Sequence, residues 1–157
     1  MFDFSKIGMM SRYDDFKPAP NEELIALLEE YCGHSLPENY KYILNNFNGG
    51  SPAANYFDVI DPSSGIAGEW KIGKFFTLDE NKEFPSNIWW KINNYSKLMG
   101  ANTLPFADDG LQQIYFMKWV NNTPQVWFLA YLDMDEPESF FLMNSFDELL
   151  DALYNGN

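Results

Sequence analysis

The pattern of apolar residues between positions 36 and 47 predicts a helix. The residues of its apolar face recur three or four positions apart: Leu36, Tyr40, Ile43, Leu44 and Phe47. Pro37 stands at the start, where the first helical N–H has no partner within the helix. The Asn48-Gly49-Gly50 step supplies residues that tolerate a positive φ, so we expect the helix to end there and a turn to follow.

Three more segments combine helical spacing with a polar residue that can cap the first turn. Asn21 would cap a helix that runs to about Tyr31, and Ser86 would cap a helix over residues 86–99. Ser145 would cap a final helix whose apolar residues face inward. The sequence therefore predicts four helices, of which the last closes the chain.

The strand-like segments lie mostly between these helices. They are rich in aromatic and β-branched residues and cover Tyr56–Ile60, the region of Trp70 to Phe75, Leu111–Val120, Gln125–Asp133 and Ser139–Leu142. The turn-forming cluster Asn121-Asn122-Thr123-Pro124 favours a hairpin between the third and the fourth of these segments.

The order of the elements indicates the fold class. Helices come first, strands follow, and a helix ends the chain, without a regular alternation of strand and helix. This order favours an α+β fold with a mostly antiparallel (mixed) sheet and helices packed against it. A chain of 157 residues is most simply one domain, here residues 1–157, with 1–20 as an irregular N-terminal segment.

The charge of the chain restricts the class of partner. The net charge is −13, from 23 acidic and 10 basic residues. A nucleic-acid-binding protein needs a basic surface, and an anionic membrane also attracts basic segments, so we expect neither partner. No Lys or Arg follows Lys118, although many acids do. Such a surface can attract a basic protein, or it can simply be a solvated face that keeps the chain monomeric.

The residues that usually carry chemistry are scarce. His34 is the only histidine and Cys32 the only cysteine, so we expect no Ser-His-Asp, Cys-His or two-histidine metal site within one chain. We expect no metal and no cofactor, and we expect His34 to be a surface residue ahead of a helix. Asp108 and Asp109 could form a paired-carboxylate site, although Asp-Gly is also a common turn dipeptide.

The sequence also suggests a cellular location. The longest apolar run, Val126–Leu132, is much shorter than the roughly 20 residues of a membrane helix. The N-terminus has acids where a signal peptide would be basic. One cysteine cannot form an intrachain disulfide, which fits a reducing compartment. We therefore expect a soluble, cytoplasmic protein.

Two acidic turns and a tryptophan pair are the candidate binding residues. The acids Asp108 and Asp109 precede the predicted hairpin, and the acids Asp133, Asp135 and Glu136 follow it. Adjacent residues of a helix point about 100° apart, so Trp89 and Trp90 should not both be fully buried. We expect these acids, together with Trp89 or Trp90, to contact a partner.

Three motifs, in order, resemble the SUKH superfamily, which includes fungal cell-wall synthesis regulators and many bacterial proteins. They are the Leu36–Pro52 stretch, Leu104-Pro105-Phe106-Ala107-Asp108-Asp109-Gly110, and Ser145-Phe146-Asp147-Glu148-Leu149-Leu150. The resemblance runs from about Asn21 to Tyr154.

The resemblance implies a protein-binding module and not an enzyme. Many bacterial members look like immunity proteins that neutralise a toxin, often a nuclease, so the implied partner is a basic toxin domain. An acidic inhibitor would cover the toxin by steric and electrostatic occlusion. The alternatives are a regulatory scaffold for signalling partners and a carboxylate-dependent hydrolase that uses Asp108 and Asp109. We expect a monomer or a weak dimer.

Overall fold

A four-stranded antiparallel sheet carries most of the buried aromatic residues. The computed structural model describes residues 1–10, 17–131 and 135–156. The strands are β5 (Leu104–Asp108), β6 (Ile114–Val120), β7 (Thr123–Ala130) and β8 (Glu138–Met143), and they pair in chain order. The predicted hairpin is confirmed: β6 and β7 are joined by a two-residue turn, Asn121 and Asn122, with φ values of 51° and 63°. Asparagine tolerates this left-handed conformation, which matches the twist of the flanking strands.

The helices are α1 (Glu22–Cys32), α2 (Glu38–Phe47), α3 (Ile88–Met99) and α4 (Phe146–Ala152). Asn21 and Ser145 cap α1 and α4 as predicted, since their side-chain oxygens accept N–H bonds from the first turns. The cap of α3 differs from the prediction. Asn87 caps it by accepting the Trp89 N–H at 2.8 Å, and the Ser86 hydroxyl accepts the Lys74 ammonium at 2.6 Å instead.

Two short antiparallel pairs complete the sheets. β1 (Met9–Met10) pairs with β2 (Ser51–Pro52), and β3 (Tyr56–Ile60) pairs with β4 (Ala67–Lys71). The bounds of β3 agree with the sequence prediction, whereas β4 ends earlier than Phe75. The N-terminal segment carries regular structure, because a 3₁₀ turn at Phe4–Lys6 precedes β1. The four helices and the antiparallel strand pairs confirm the predicted α+β class.

The segment 73–78 covers the outer edge of β5. The Phe76 N–H donates to the Phe106 carbonyl at 2.9 Å, and the Asp108 N–H donates to the Lys74 carbonyl at 3.0 Å. At its far end, the Ile88 N–H donates to the Thr77 carbonyl at 2.8 Å. An edge strand with unpaired backbone groups invites unwanted pairing. The segment therefore protects β5 and connects the sheet to the start of α3.

Asn48 holds this segment in place. Its side-chain amide donates to the carbonyls of Pro18 and Leu78 at 3.0 and 2.9 Å. Its Oδ1 accepts the Leu78 N–H at 2.8 Å, and the residue is only 2% exposed. The sequence suggested that Asn48 ends α2 through a positive φ. Its φ is −53° and Gly49 has the positive φ of 94°, so the asparagine serves as a buried link between distant backbone segments.

Asn48→Ala should lower the free energy of unfolding by about 3 kcal/mol, because it leaves the buried Leu78 N–H and two carbonyls without these partners. Thermal unfolding followed by circular dichroism measures the change. Asn46→Ala is the matched control, since the exposed Asn46 amide donates only to the Tyr42 carbonyl of its own helix. Equal losses of melting temperature in the two variants would contradict the role given to Asn48.

Two fully buried tyrosines differ in how their hydroxyls are satisfied. Tyr40 contacts Phe106 and Phe146 in the core, and its hydroxyl has no hydrogen-bond partner in the described part of the chain. The Tyr115 hydroxyl donates to the Lys71 carbonyl at 2.9 Å. A buried polar group without a partner keeps its desolvation penalty, so only the second hydroxyl should favour folding.

Tyr40→Phe should therefore leave the melting temperature unchanged or raise it, whereas Tyr115→Phe should lower the free energy of unfolding by about 1 kcal/mol. Urea unfolding of the two variants at one protein concentration compares them directly. A clear loss of stability in Tyr40→Phe would mean that its hydroxyl is satisfied in solution.

Candidate partner-binding surface

The topology of the sheet places the two acidic turns at one end of it. Neighbouring strands are antiparallel, so the β5–β6 and β7–β8 connections lie at the same end and the β6–β7 turn lies at the other. One row of paired residues crosses this end: Asp108, Ile114, Leu129 and Ser139. Three strand spacings separate its first and last members, which corresponds to about 14 Å. The two turns are thus close enough to belong to one surface.

Asp108 is held in the first of these turns. Its carboxylate accepts the N–H groups of Lys74 at 3.2 Å and Gly110 at 3.0 Å. Burial raises the pKa of the Asp108 carboxyl, while the Gly110 N–H and the Lys74 ammonium act in the opposite direction. Asp108 is half-buried, and its carboxylate interacts with backbone N–H groups of the protein itself.

Asp109 closes the same turn. One carboxylate oxygen accepts the N–H groups of Leu111 at 2.8 Å and Gln113 at 3.0 Å, and the other accepts the Gln113 side-chain amide at 3.2 Å. A pair of catalytic carboxylates would direct its oxygens toward a substrate and would need different pKa values for the two groups. Here both carboxylates accept hydrogen bonds from the turn itself, which favours a structural role and gives no support to the hydrolase alternative.

The second acidic turn is more open. Asp135 and Glu136 are both exposed, and Asp133 lies outside the described residues. The Ser139 hydroxyl, just after this turn, donates to the Leu98 carbonyl near the end of α3 at 3.3 Å. This contact places the second acidic turn next to α3, the helix that carries the tryptophan pair.

Trp89 and Trp90 are both half-buried and face different neighbours. Trp89 contacts the Tyr31 ring of α1 at a centroid distance of 5.6 Å, and the Lys82 ammonium lies 5.1 Å from its ring. Trp90 contacts Tyr95, one turn further along α3, at 6.1 Å. We predicted that Trp89 and Trp90 would not both be fully buried, and the structure agrees because both are half-buried.

An aromatic row leads from Trp90 to the first acidic turn. Tyr95 contacts the Tyr131 ring at 4.8 Å, and the Tyr131 hydroxyl donates to the Gln112 carbonyl at 2.6 Å. Burial and the hydrogen bond with Tyr95 raise the pKa of Tyr131, and the charges of Asp109 and Asp108 act in the same direction. The row therefore lies within electrostatic reach of both carboxylates.

Lys91 makes cation–π contacts with two rings of this row, those of Trp90 and Tyr95. It is only 8% exposed, and its ammonium lies 4.9 Å from the Phe76 ring centroid, 5.3 Å from Trp90 and 5.9 Å from Tyr95. Burial lowers the pKa of Lys91, and the Asp108 charge opposes that effect. Cation–π contacts partly replace the lost hydration of the ammonium. Sequence reasoning missed this residue because a helical lysine is usually exposed and no local pattern marks a buried one.

We call the combined patch the acidic–aromatic surface. It comprises Trp90, Tyr95, Tyr131, Asp108, Asp109, Asp135 and Glu136. Of the seven candidate residues predicted from the sequence, Trp90, Asp108, Asp109, Asp135 and Glu136 lie in this surface. Trp89 faces α1 instead, and Asp133 lies outside the described residues. Whether any of them binds a partner stays a prediction.

A groove at the opposite end of the sheet was not expected. His34 is half-buried there and stacks on Trp119 at a centroid distance of 5.4 Å and an interplanar angle of 2°. The groove has a volume of about 390 Å³ and is also lined by Pro37, Asn122 and Asp147. No local sequence signal brings His34 to the β6–β7 hairpin, because His34 and Trp119 are far apart in the chain.

The described residues hold no group of three or more His, Cys, Asp or Glu side chains arranged for a metal ion. Across the same described ranges, we found no helix with the length and apolarity needed to cross a membrane.

Comparison with known proteins gives a family. Residues 19–152 match the family model described as SMI1 / KNR4 family (SUKH-1). Searches of curated proteins and of solved structures returned no match. The matched range includes all four helices, the four-stranded sheet and the acidic–aromatic surface. The chain therefore belongs to the SMI1 / KNR4 (SUKH-1) family.

Proposed function

We propose that this protein is a protein-binding module, and specifically an immunity protein that neutralises a basic toxin domain. Membership of the SUKH-1 family fits a protein-binding or immunity role at the level of the family. The observation that carries the proposal for this chain is the acidic–aromatic surface, where half-exposed rings lie beside two acidic turns.

Such a surface has the composition of a binding site for a basic protein. Aromatic residues with small conformational freedom are common binding hot spots, and surrounding polar groups exclude water from them. The row of Trp90, Tyr95 and Tyr131 would supply the anchors. Asp135 and Glu136, which are exposed and make no ion pair in the described part of the chain, would face the cations of the partner.

The net charge supports the same partner class. A chain with 23 acids and 10 bases produces a negative field that accelerates encounter with a positively charged protein. Nuclease toxins carry positive charge where they hold nucleic acid. The protein would cover that region and exclude the substrate, without covalent chemistry of its own.

The remaining parts of the proposal follow from the same features. The partner would be met in the cytoplasm, which is consistent with a single, buried cysteine. The protein would act as a monomer or weak dimer without a metal or cofactor. The first test is to read the neighbouring gene: the proposal expects a large secreted protein with a nuclease-like C-terminal domain, and the direct test is then co-expression with that domain. Rescue of growth and a stable one-to-one complex are the expected results, and loss of both would contradict the immunity role.

Asp135→Lys combined with Glu136→Lys should slow association with that toxin domain about tenfold at low salt, because it removes the steering charges. The melting temperature should change little, since both residues are exposed. Stopped-flow fluorescence at several salt concentrations measures the association rate.

The control variant is Glu23→Lys with Glu30→Lys, which changes the net charge equally on the exposed side of α1. If both variants slow association to the same extent, net charge alone is responsible. An unchanged rate in the Asp135/Glu136 variant at low salt would remove this turn from the interface.

Trp90→Ala should weaken binding by about 2 kcal/mol, mainly through faster dissociation, because it removes an aromatic anchor. Trp89→Ala is the matched comparison, since Trp89 contacts α1 and should affect stability more than affinity. Surface plasmon resonance and thermal unfolding are measured on both variants. Faster dissociation in the Trp89 variant with none in the Trp90 variant would reverse our assignment of the two side chains.

A further inference from the structure

A small cavity lies where the end of α2, the 73–78 segment and the loop before α3 meet. Its volume is about 40 Å³, and its walls include Lys17, Gly49, Lys74, Phe75, Phe84 and Ser86. Two lysines in one cavity wall are unusual in a chain whose net charge is −13. None of these wall residues belongs to the acidic–aromatic surface, although the Lys74 N–H donates to the Asp108 carboxylate of that surface.

Both ammonium groups are held by side chains of the same wall. The Lys74 ammonium donates to the Ser86 hydroxyl at 2.6 Å. The Lys17 ammonium lies 5.0 Å from the centroid of the Phe84 ring. Each ammonium group is therefore held at the cavity by a contact with a neighbouring side chain.

Among the residues that the structure describes, neither lysine has a carboxylate partner at ion-pair distance. In the described ranges, the ion pairs within 4 Å involve Lys41 with Glu29 and Glu38. The charges of Lys74 and Lys91 both favour the ionised Asp108 carboxylate, and they oppose the effect of burial, which raises the pKa of that carboxyl. One half-buried carboxylate thus faces two ammonium groups, and Lys17 adds a third positive charge at the cavity.

Neutral donors complete the set. The Gly49 N–H is buried at a φ of 94° and has no hydrogen-bond partner in the part of the chain that the structure describes. The Ser86 hydroxyl accepts from Lys74, so its own hydrogen remains free to donate. An N–H, a hydroxyl and two ammonium groups, of which Lys74 keeps two further N–H donors beside its bond to Ser86, are the donors that proteins use for oxyanions.

We propose that this cavity binds a small tetrahedral oxyanion, of which inorganic phosphate is the simplest example. Its oxygens would accept from the ammonium groups of Lys17 and Lys74, the Ser86 hydroxyl and the Gly49 N–H. The small volume admits the anion itself, or the terminal phosphoryl group of a larger molecule, with Phe75 and Phe84 forming the apolar wall. This site is independent of toxin binding.

The test is a titration of the ¹⁵N-labelled full chain with inorganic phosphate, in buffers matched for ionic strength with sodium chloride. We expect saturable shifts of the Gly49 amide resonance and of resonances in the 73–78 segment. Lys74→Met should weaken the affinity about tenfold or more, because it removes a charge-assisted contact. Lys97→Met, which removes an exposed charge of α3, is the matched control and should change the affinity less than about twofold.

Further variants and a second ligand complete the design. Ser86→Ala and Lys17→Met should each weaken binding, and they keep the site testable if Lys74→Met does not fold. A parallel titration with O-phosphoserine distinguishes the free ion from an esterified phosphoryl group, and binding of either supports the site. Shifts that do not saturate, that spread over exposed lysines, or that persist unchanged in Lys74→Met and Ser86→Ala would overturn the proposal.

Discussion

The buried amide of Asn48 is the contact on which the arrangement of both functional regions depends. It links the end of α2 to the backbone of Pro18 and Leu78, three places far apart in the chain. A buried amide of this kind is favourable only when all of its hydrogen bonds form, because each unmade bond leaves a desolvated group behind. We therefore expect the three hydrogen bonds of the Asn48 side chain to form together. Its geometry determines where the 73–78 segment lies against the sheet.

The 73–78 segment connects Asn48 to both parts of the acidic–aromatic surface, the first acidic turn and α3. On one side it pairs with β5 as far as Asp108, and the space beside Gly73 is filled by the Asp108 carboxylate and the backbone of Gly110, which leaves no room for a side chain. On the other side it contacts the beginning of α3 through Thr77. The first acidic turn and the helix that carries Trp90 are thus both attached to one short stretch of backbone. The oxyanion cavity lies on the same stretch, at Lys74, so a bound anion would stabilise the arrangement from the opposite side.

Local signals in the sequence were sufficient for the helices and the hairpin, and insufficient for the sites. The caps at Asn21 and Ser145 and the Asn121–Asn122 turn depend on neighbours within a few residues, so their chemistry could be predicted directly. The acidic turns could be named, but their common location follows only from the antiparallel order of β5 to β8. The burial of Lys91 and the stacking of His34 on Trp119 depend on contacts across the fold. A lysine or a histidine in isolation carries no signal for such contacts, and Asn48 likewise resembled an ordinary helix end.

Four of the ten basic residues lie in internal contacts or at a cavity. Lys91 is almost completely buried under aromatic rings, and the Lys41 ammonium pairs with Glu29 at 3.3 Å. Lys17 and Lys74 face a cavity, and the Lys74 charge also acts on Asp108 of the first acidic turn. Cations that are buried or turned inward screen the exposed carboxylates of Asp135 and Glu136 poorly. In these four lysines positive charge thus lies in internal contacts or at a cavity, whereas Asp135 and Glu136 are exposed where a basic protein could meet them.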